Sequence, residues 1–422
     1  MAAPSIPNLL GRLGNGPPRA GRGGRRGLGR GSGLGGGLHS GHNPQLRGGI
    51  PRRLDHTGII QSTDTDAAIS RMSAVDIGLL EDPFAQYFAG DGGGPVPRRL
   101  PIINRGTYTR TKCLDKIIRA FLSGGAVADT TPPSSPRPEE PTEPPVRQII
   151  SLGAGTDTRS LRLLALRQQN GQAEFQNVVY HELDFPTVCA RKRNIVQSIP
   201  AIRSLLKSPI TEYPYSGEDG SAKVGTNTEN RSWHAELGLG NSLWAHGLDL
   251  RELATTGSGN PTTFPGLRSD VPTLLVSECC LCYLQPPEAT GVLRWFADRV
   301  NAPSSSLGVV IYEPIRPFDA FGRTMVANLS GRGIEMPTLV VYPDGATQEA
   351  RLRQEAGLSQ AKHQTIDQIW KAWVADDEQE RVNHLDGLDE VEEWELLASH
   401  YIVAWGSKGT YFDAAWAQLY EL

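Results

Sequence analysis

Nothing in this chain is apolar for the roughly 18–20 consecutive residues that a membrane span needs. The opening MAAPSIPNLLGRLG has no sustained apolar core of the kind a secretory leader carries. Neither a membrane protein nor a secreted one is expected. Cysteine is scarce as well. The five cysteines, at positions 113, 189, 279, 280 and 282, are an odd number. That argues against a disulfide framework and suits a reducing compartment, hence a cytoplasmic protein. The G-x-S-x-G nucleophile elbow and the H-E-x-x-H zinc helix are both missing, so hydrolase chemistry lacks its usual residues. Cys279, Cys280 and Cys282 formally contain a C-x-x-C, but the segment is one extended apolar run without a second ligand pair. Buried thiols are expected there, not zinc or a redox couple.

Residues 1–54 lack lysine and acid altogether, and hold nine arginines and 16 of the 47 glycines. The chain carries −4; taking away the tail's nine positive charges leaves −13 on the remainder. Such a tail cannot bury enough apolar surface to fold and reads as disordered. It fits an RGG-like contact to nucleic acid or protein, a mitochondrial presequence, or a tolerated extension. Glycine and proline make the presequence helix a poor one, and the tolerated extension is the preferred reading. The net charge gives no reason to expect nucleic acid as a partner. Two further stretches read as surface insertions outside the core: residues 123–146, with seven prolines, and residues 216–240, polar and glycine-rich.

What the chain does have is patterning. With 422 residues, 38% of them hydrophobic, it can form one large domain or two average ones. Tyr108, Leu114, Ile117, Ile118 and Phe121 recur at helical spacing over 105–122. IISL at 149–152, VVYHEL at 178–183, SLWAHGLDL ending near Asp249, TLLVSECCLCYL at 273–284 and LGVVIYE at 307–313 read as strands. A helix is expected over 288–300, after Pro286 and Pro287, and acid-rich helix over 376–397. HYIVAWGSKG at 400–409 reads as an antiparallel edge strand. Strands alternating with helices predict an α/β fold: a mostly parallel sheet with helices on both faces.

Ligands of such sheets bind beyond the carboxyl ends of the strands. Gly153 and Gly155 follow the first strand in LGAGTDT, where they let a ligand approach the backbone at a helix start or simply make a tight turn. Thr158 stands where G-x-G-x-x-G needs its third glycine, which counts against a dinucleotide and an NAD-dependent oxidoreductase. Asp184 ends the second strand, fit to accept ribose hydroxyls or to cap the helix opening at Pro186. Asp249 and Leu250 end the third, fit to contact adenine, or Asp249 to pair with Arg251. Glu278 lies within an apolar run, where a charge is costly without a partner. Two cations stand near: Arg71, and Arg105, which is expected to open a helix and there either receive a carboxylate or lie on the surface.

From Asp66 to Gly409 the chain resembles the leucine carboxyl methyltransferases, enzymes that methyl-esterify the C-terminal leucine of the protein phosphatase 2A catalytic subunit. The resemblance is carried, in order, by ISRMSAVDIGLLEDPFAQYF, INRGTYTRTKCLDKIIRAFL, IISLGAGTDTRSLRL, HELDFPTVCARK, DLREL, PTLLVSECCLCYL, YEPIRPFDAFGRTMVANL and HYIVAWGSKG. It implies a fungal member with an S-adenosylmethionine-dependent, Rossmann-like methyltransferase domain over 60–422, an N-terminal helical cap, and a monomer in the cytoplasm. It implies Arg105 at the methionine carboxylate with Arg71 nearby, Gly153 and Gly155 beneath it, Asp184 at the ribose, Asp249 and Leu250 at adenine, and Glu278 at the methionine end. Arg71 stands where animal relatives are expected to have lysine, which keeps the charge and changes its geometry. No catalytic base and no metal are implied. The runner-up is the tRNA wybutosine-pathway methyltransferase, whose family carries a C-terminal propeller that this chain would lack. An inactive phosphatase-binding scaffold is the alternative of another class, against which Gly153, Gly155, Asp184 and Glu278 speak.

Overall fold

The structure is a computed structural model describing residues 56–90, 96–124, 145–163, 176–214, 231–255, 264–300 and 305–421. The tail at 1–54 and most of the proline-rich stretch lie outside them.

Two long helices come first, α1 (His56–Asp76) and α2 (Pro101–Ser123). Proline at the first position of α2 fits there because that N–H would be orphaned anyway, and Gly124 closes the helix in the left-handed conformation. Then come β1 (Arg147–Leu152), β2 (Val178–Asp184), α3 (Pro186–Ser198), β3 (Thr211–Pro214), β4 (Arg231–Gly238), β5 (Asn241–Gly247) and α4 (Arg251–Thr255). They are followed by β6 (Thr273–Glu278), α5 (Pro286–Arg299), β7 (Leu307–Pro314), α6 (Ala320–Gly331), α7 (Gly345–Glu355) and β8 (Gln360–Thr365). The last are α8 (Ile366–Trp373), α9 (Asp376–Asp386), α10 (Val391–Ala398), β9 (Tyr401–Lys408), α11 (Thr410–Ala415) and α12 (Ala417–Glu421).

The nine strands among the described residues form one sheet in the order β3-β4-β5-β2-β1-β6-β7-β9-β8. Its five central strands, from β5 to β7, are mutually parallel. The chain winds from β1 toward β2 and β5 on one side and through β6 and β7 on the other, so strand order reverses between β1 and β6. A crevice opens at such a point, beyond the strands' carboxyl ends. Alternate residues of the central strands serve two cores. Ile149, Tyr180 and Val310 pack with Leu114, Ile117 and Phe121 of α2. Ile150, Leu183, Val309 and Ile311 pack with Val292, Leu293 and Phe296 of α5.

Four expectations change. Residues 231–238, read as part of an insertion, form β4, and its alternating Trp233, Ala235 and Leu237 are buried. The period-2 pattern was hidden between polar neighbours. β9 is antiparallel as expected but interior, because β8 pairs along its outer side. The run 273–284 is not one strand: β6 stops at Glu278, Cys279 takes a left-handed backbone (φ 49°), and 281–283 make a 3-10 turn. Finally, α2 opens at Pro101, so Arg105 sits a full turn inside it.

Candidate functional site

A cavity of about 500 Å³ lies at the reversal point between β1 and β6. The two N-terminal helices reach it with one face each: Ile60, Asp64, Ala67 and Arg71 of α1, and Ile102, Ile103, Gly106 and Arg110 of α2. These spacings, three, four and seven residues apart, are the signature of a single helical face. A Cβ at Gly106 would meet nothing within 4 Å, so this helical glycine widens the cavity.

The turn after β1 is held from two directions. The Gly155 N–H donates to Asp184 Oδ2 at 2.7 Å, and the Phe185 N–H to Oδ1 at 2.7 Å. From α1, Asp64 Oδ1 accepts both the N–H and the hydroxyl of Thr156, at 2.7 and 2.8 Å. Gly153 and Gly155 both have positive φ, 60° and 48°. A Cβ at Gly153 would lie 2.7 Å from Cys280 Sγ, and one at Gly155 would collide with Asp64. Glycine is therefore required twice over, by backbone conformation and by space. Asp184 is not the cap of α3; Phe185 holds that position. Burial pushes the Asp184 carboxyl up to about 7, against the two backbone N–H bonds that pull it down.

Asp249, two residues beyond β5, lines the cavity and also pairs with Arg251 Nε at 2.9 Å, so both readings of it hold structurally. Leu250 is buried beside it. Glu278, at the tip of β6, has the partners its burial demands: Arg110 Nε at 2.9 Å from Oε1, and Arg159 Nη2 at 3.1 Å from Oε2. Arg71 is buried at the wall, with Asp82 and Asp157 each 3.7 Å away. Its Nη1 makes no hydrogen bond among the described residues.

Seven of the eight expected site residues thus line one cavity: Arg71, Gly153, Gly155, Asp184, Asp249, Leu250 and Glu278. Arg105 is the exception and a correction. It turns away and is buried against α9, Nε donating to Asp386 at 2.7 Å and Nη2 at 3.0 Å. Nη2 also donates to Asn383 at 2.6 Å, and the guanidinium lies over the rings of Trp370 and Trp394. Five residues along an α-helix amount to about 140° of rotation, so Arg105 and Arg110 cannot both face the cavity. Arg110 does. The wheel could have found it, since Ile103, Thr107 and Arg110 share a face; nothing in the sequence marked Asp64. Later elements add Leu329, Ile334, Ile366, Trp394, Leu397 and Tyr401, carried by or next to α6, α8, α10 and β9.

The leucine carboxyl methyltransferase family model matches residues 59–297, the stretch that supplies most of the cavity. A leucine carboxyl methyltransferase 1 of Emericella nidulans is 40% identical over 431 residues, spanning 99% of this chain and 98% of that protein. One of Aspergillus fumigatus is 40% identical over 422 residues, spanning 96% and 94%. A tRNA wybutosine-synthesizing protein 4 of Rattus norvegicus is 29% identical over 358 residues, 85% of this chain but 45% of that protein. With that family match and relatives aligned end to end, the chain belongs to the leucine carboxyl methyltransferase family.

Proposed function

We propose that the protein transfers the methyl group of S-adenosylmethionine to the α-carboxylate of the C-terminal leucine of the protein phosphatase 2A catalytic subunit. The observation that carries this reading is the cavity's mixed lining. Strand tips and the two N-terminal helices supply Arg71, Arg110, Asp184, Asp249 and Glu278, while α6, α8 and α10 supply Leu329, Ile366 and Leu397. Charged groups of both signs suit an amino acid joined to a nucleoside; an apolar wall suits a leucine side chain.

The residues fit the cofactor. Asp184 offers a carboxylate to the ribose hydroxyls, and Asp249 with Leu250 a polar and an apolar contact to adenine. Arg71, with a buried donor left over, and Arg110 suit the methionine carboxylate; Glu278 suits its ammonium. Gly153 and Gly155 let the ligand reach the backbone. When bound, S-adenosylmethionine supplies an electrophilic methyl group on a sulfonium. A terminal α-carboxyl with a pKa of about 3.3–3.7 is already anionic at neutral pH, so the protein need remove no proton. Its residues align the nucleophile, which can contribute roughly 7–11 kcal/mol. By covering the cavity, α1 and α2 also exclude water and strengthen the charge attraction inside. The five free thiols favour a reducing, cytoplasmic setting.

Incubation with methyl-labelled S-adenosylmethionine and the phosphatase catalytic subunit tests the proposal. A base-labile methyl ester should form on the intact subunit. Equal labelling of a subunit lacking its terminal leucine would refute the assignment of the acceptor.

A further inference from the structure

Arg159 is fully buried behind the cavity wall. Its guanidinium binds three carboxylates from three places: Nε to Asp115 of α2 at 2.9 Å, Nη1 to Asp157 of the turn after β1, and Nη2 to Glu278 at the tip of β6 at 3.1 Å. Asp157 and Glu278 both line the cavity, and each also meets one cavity guanidinium. Arg71 Nη2 lies 3.7 Å from Asp157, and Arg110 Nε 2.9 Å from Glu278. The result is one chain of alternating charge, Arg71–Asp157–Arg159–Glu278–Arg110. Asp115 ties its centre to α2 and is itself held by Arg162 at 2.8 Å.

A buried ion network is a poor device for stability alone, because desolvation offsets most of the Coulomb gain. Its layout here matches a different task. We infer that Arg159 is a positioning residue for cofactor binding: by holding Asp157 and Glu278 from behind, it fixes the spacing of Arg71 and Arg110 and leaves their donors available to the cofactor's amino-acid end. Without it, Asp157 keeps the backbone N–H of position 159 and the charges of Lys192 and Arg162, Glu278 keeps Arg110, and both carboxylates draw harder on the cavity guanidiniums and shift them. Lysine keeps the charge at one point and cannot serve three carboxylates through a planar fork. The inference rests on the cofactor reading above.

The test compares wild type, Arg159→Gln and Arg159→Lys for cofactor Kd by calorimetry, for kcat, and for the KM of cofactor and of phosphatase. Kd and KM for the cofactor should rise together, about 10- to 100-fold in Arg159→Gln and less in Arg159→Lys, as for other supporting groups behind a ligand. At saturation kcat, and the KM for the phosphatase, should stay within about threefold of wild type, since only binding of the cofactor is altered. A folded variant with wild-type cofactor affinity, or one whose kcat falls at unchanged KM, overturns the inference. If Arg159→Gln does not fold, Arg159→Lys decides: partial loss of cofactor affinity supports the role, and none refutes it. Wild type in the same titration separates the two readings, because its failure to bind S-adenosylmethionine would refute the cofactor assignment itself.

Discussion

Asp184 accepts the Gly155 amide at 2.7 Å, so the carboxylate at the tip of β2 holds the turn that follows β1. This bond makes Asp184 both a ligand group and a support for the loop beneath the ligand. Asp184→Asn keeps an acceptor for one amide and loses the charge. Affinity for S-adenosylmethionine should fall roughly 10- to 150-fold, the about 1.5–3 kcal/mol of a charged hydrogen bond. Calorimetry on the folded variant checks it, and unchanged affinity would remove Asp184 from the ribose.

The same carboxylate predicts a pH dependence. In the free protein it titrates near 7, raised by burial, and ribose hydroxyls donate to its ionised form. Binding should therefore release protons below about pH 7, and affinity should weaken as pH falls, by at most about tenfold per unit. Titrations in buffers of different ionisation enthalpy count the protons released. A proton count of zero at pH 6.5 would contradict the placement.

Gly155→Ala should all but abolish cofactor binding. The added Cβ meets Asp64, and the residue must hold a positive φ that costs a non-glycine residue about 1–2 kcal/mol. Either the turn moves or α1 loses its grip on Thr156. Circular dichroism should report a folded protein while equilibrium dialysis reports the lost ligand. Gly90→Ala is the control, because Gly90 lies outside the cavity and its Cβ enters open space.

The parallel sheet and the tips of β1, β2 and β5 were legible because central strands are apolar on both faces and stop at conspicuous glycines or acids. Asp184 stood out as a charge at the end of such a run and Glu278 as a charge inside one; that Glu278 is the tip of β6 follows from the left-handed turn at Cys279. Arg105 was misplaced because its neighbours were read as a motif; the direction of a helical side chain depends on where the helix begins and which face packs. Long-range partners were beyond reach. Asp386 lies 281 positions from Arg105, and no local pattern announces such a pair. Asp64 owes its place to the packing of α1 over the β1 turn, a tertiary contact with no sequence period.

Arg105 should behave as a structural residue. Arg105→Ala leaves Asp386 buried without its main partner and should cost about 3–5 kcal/mol of stability. Arg110→Lys should leave the melting temperature nearly unchanged and weaken cofactor binding by losing the fork. Paired denaturation and binding curves decide it. Arg105→Lys with lower cofactor affinity at full stability would return Arg105 to the site.

Two histidines should make the fold sensitive to acid. His181 Nδ1 lies 2.9 Å from His246 Nε2, and His246 Nδ1 lies 2.9 Å from Ser232 Oγ, all three residues being buried. Burial lowers both imidazoles, His246 to about 3. Unfolded, each titrates near 6.5. Between those values the unfolded state binds more protons, so stability is full above pH 6.5 and is lost as pH falls, at up to about 1.4 kcal/mol per unit for each group. Asp184 acts in the opposite direction: its raised carboxyl gains stability as pH falls from 7 toward 4. The whole curve therefore mixes the two effects, and the informative quantity is a difference between variants. His246→Gln keeps polar atoms near Ser232 and His181 but cannot take up the proton. It should lose stability at pH 7, where a well-packed hydrogen bond is disturbed, yet fall less steeply than wild type between pH 6.5 and 4.5. Urea midpoints at four pH values in that window measure both slopes. Parallel curves for wild type and His246→Gln would mean that His246 is not the acid-sensitive group.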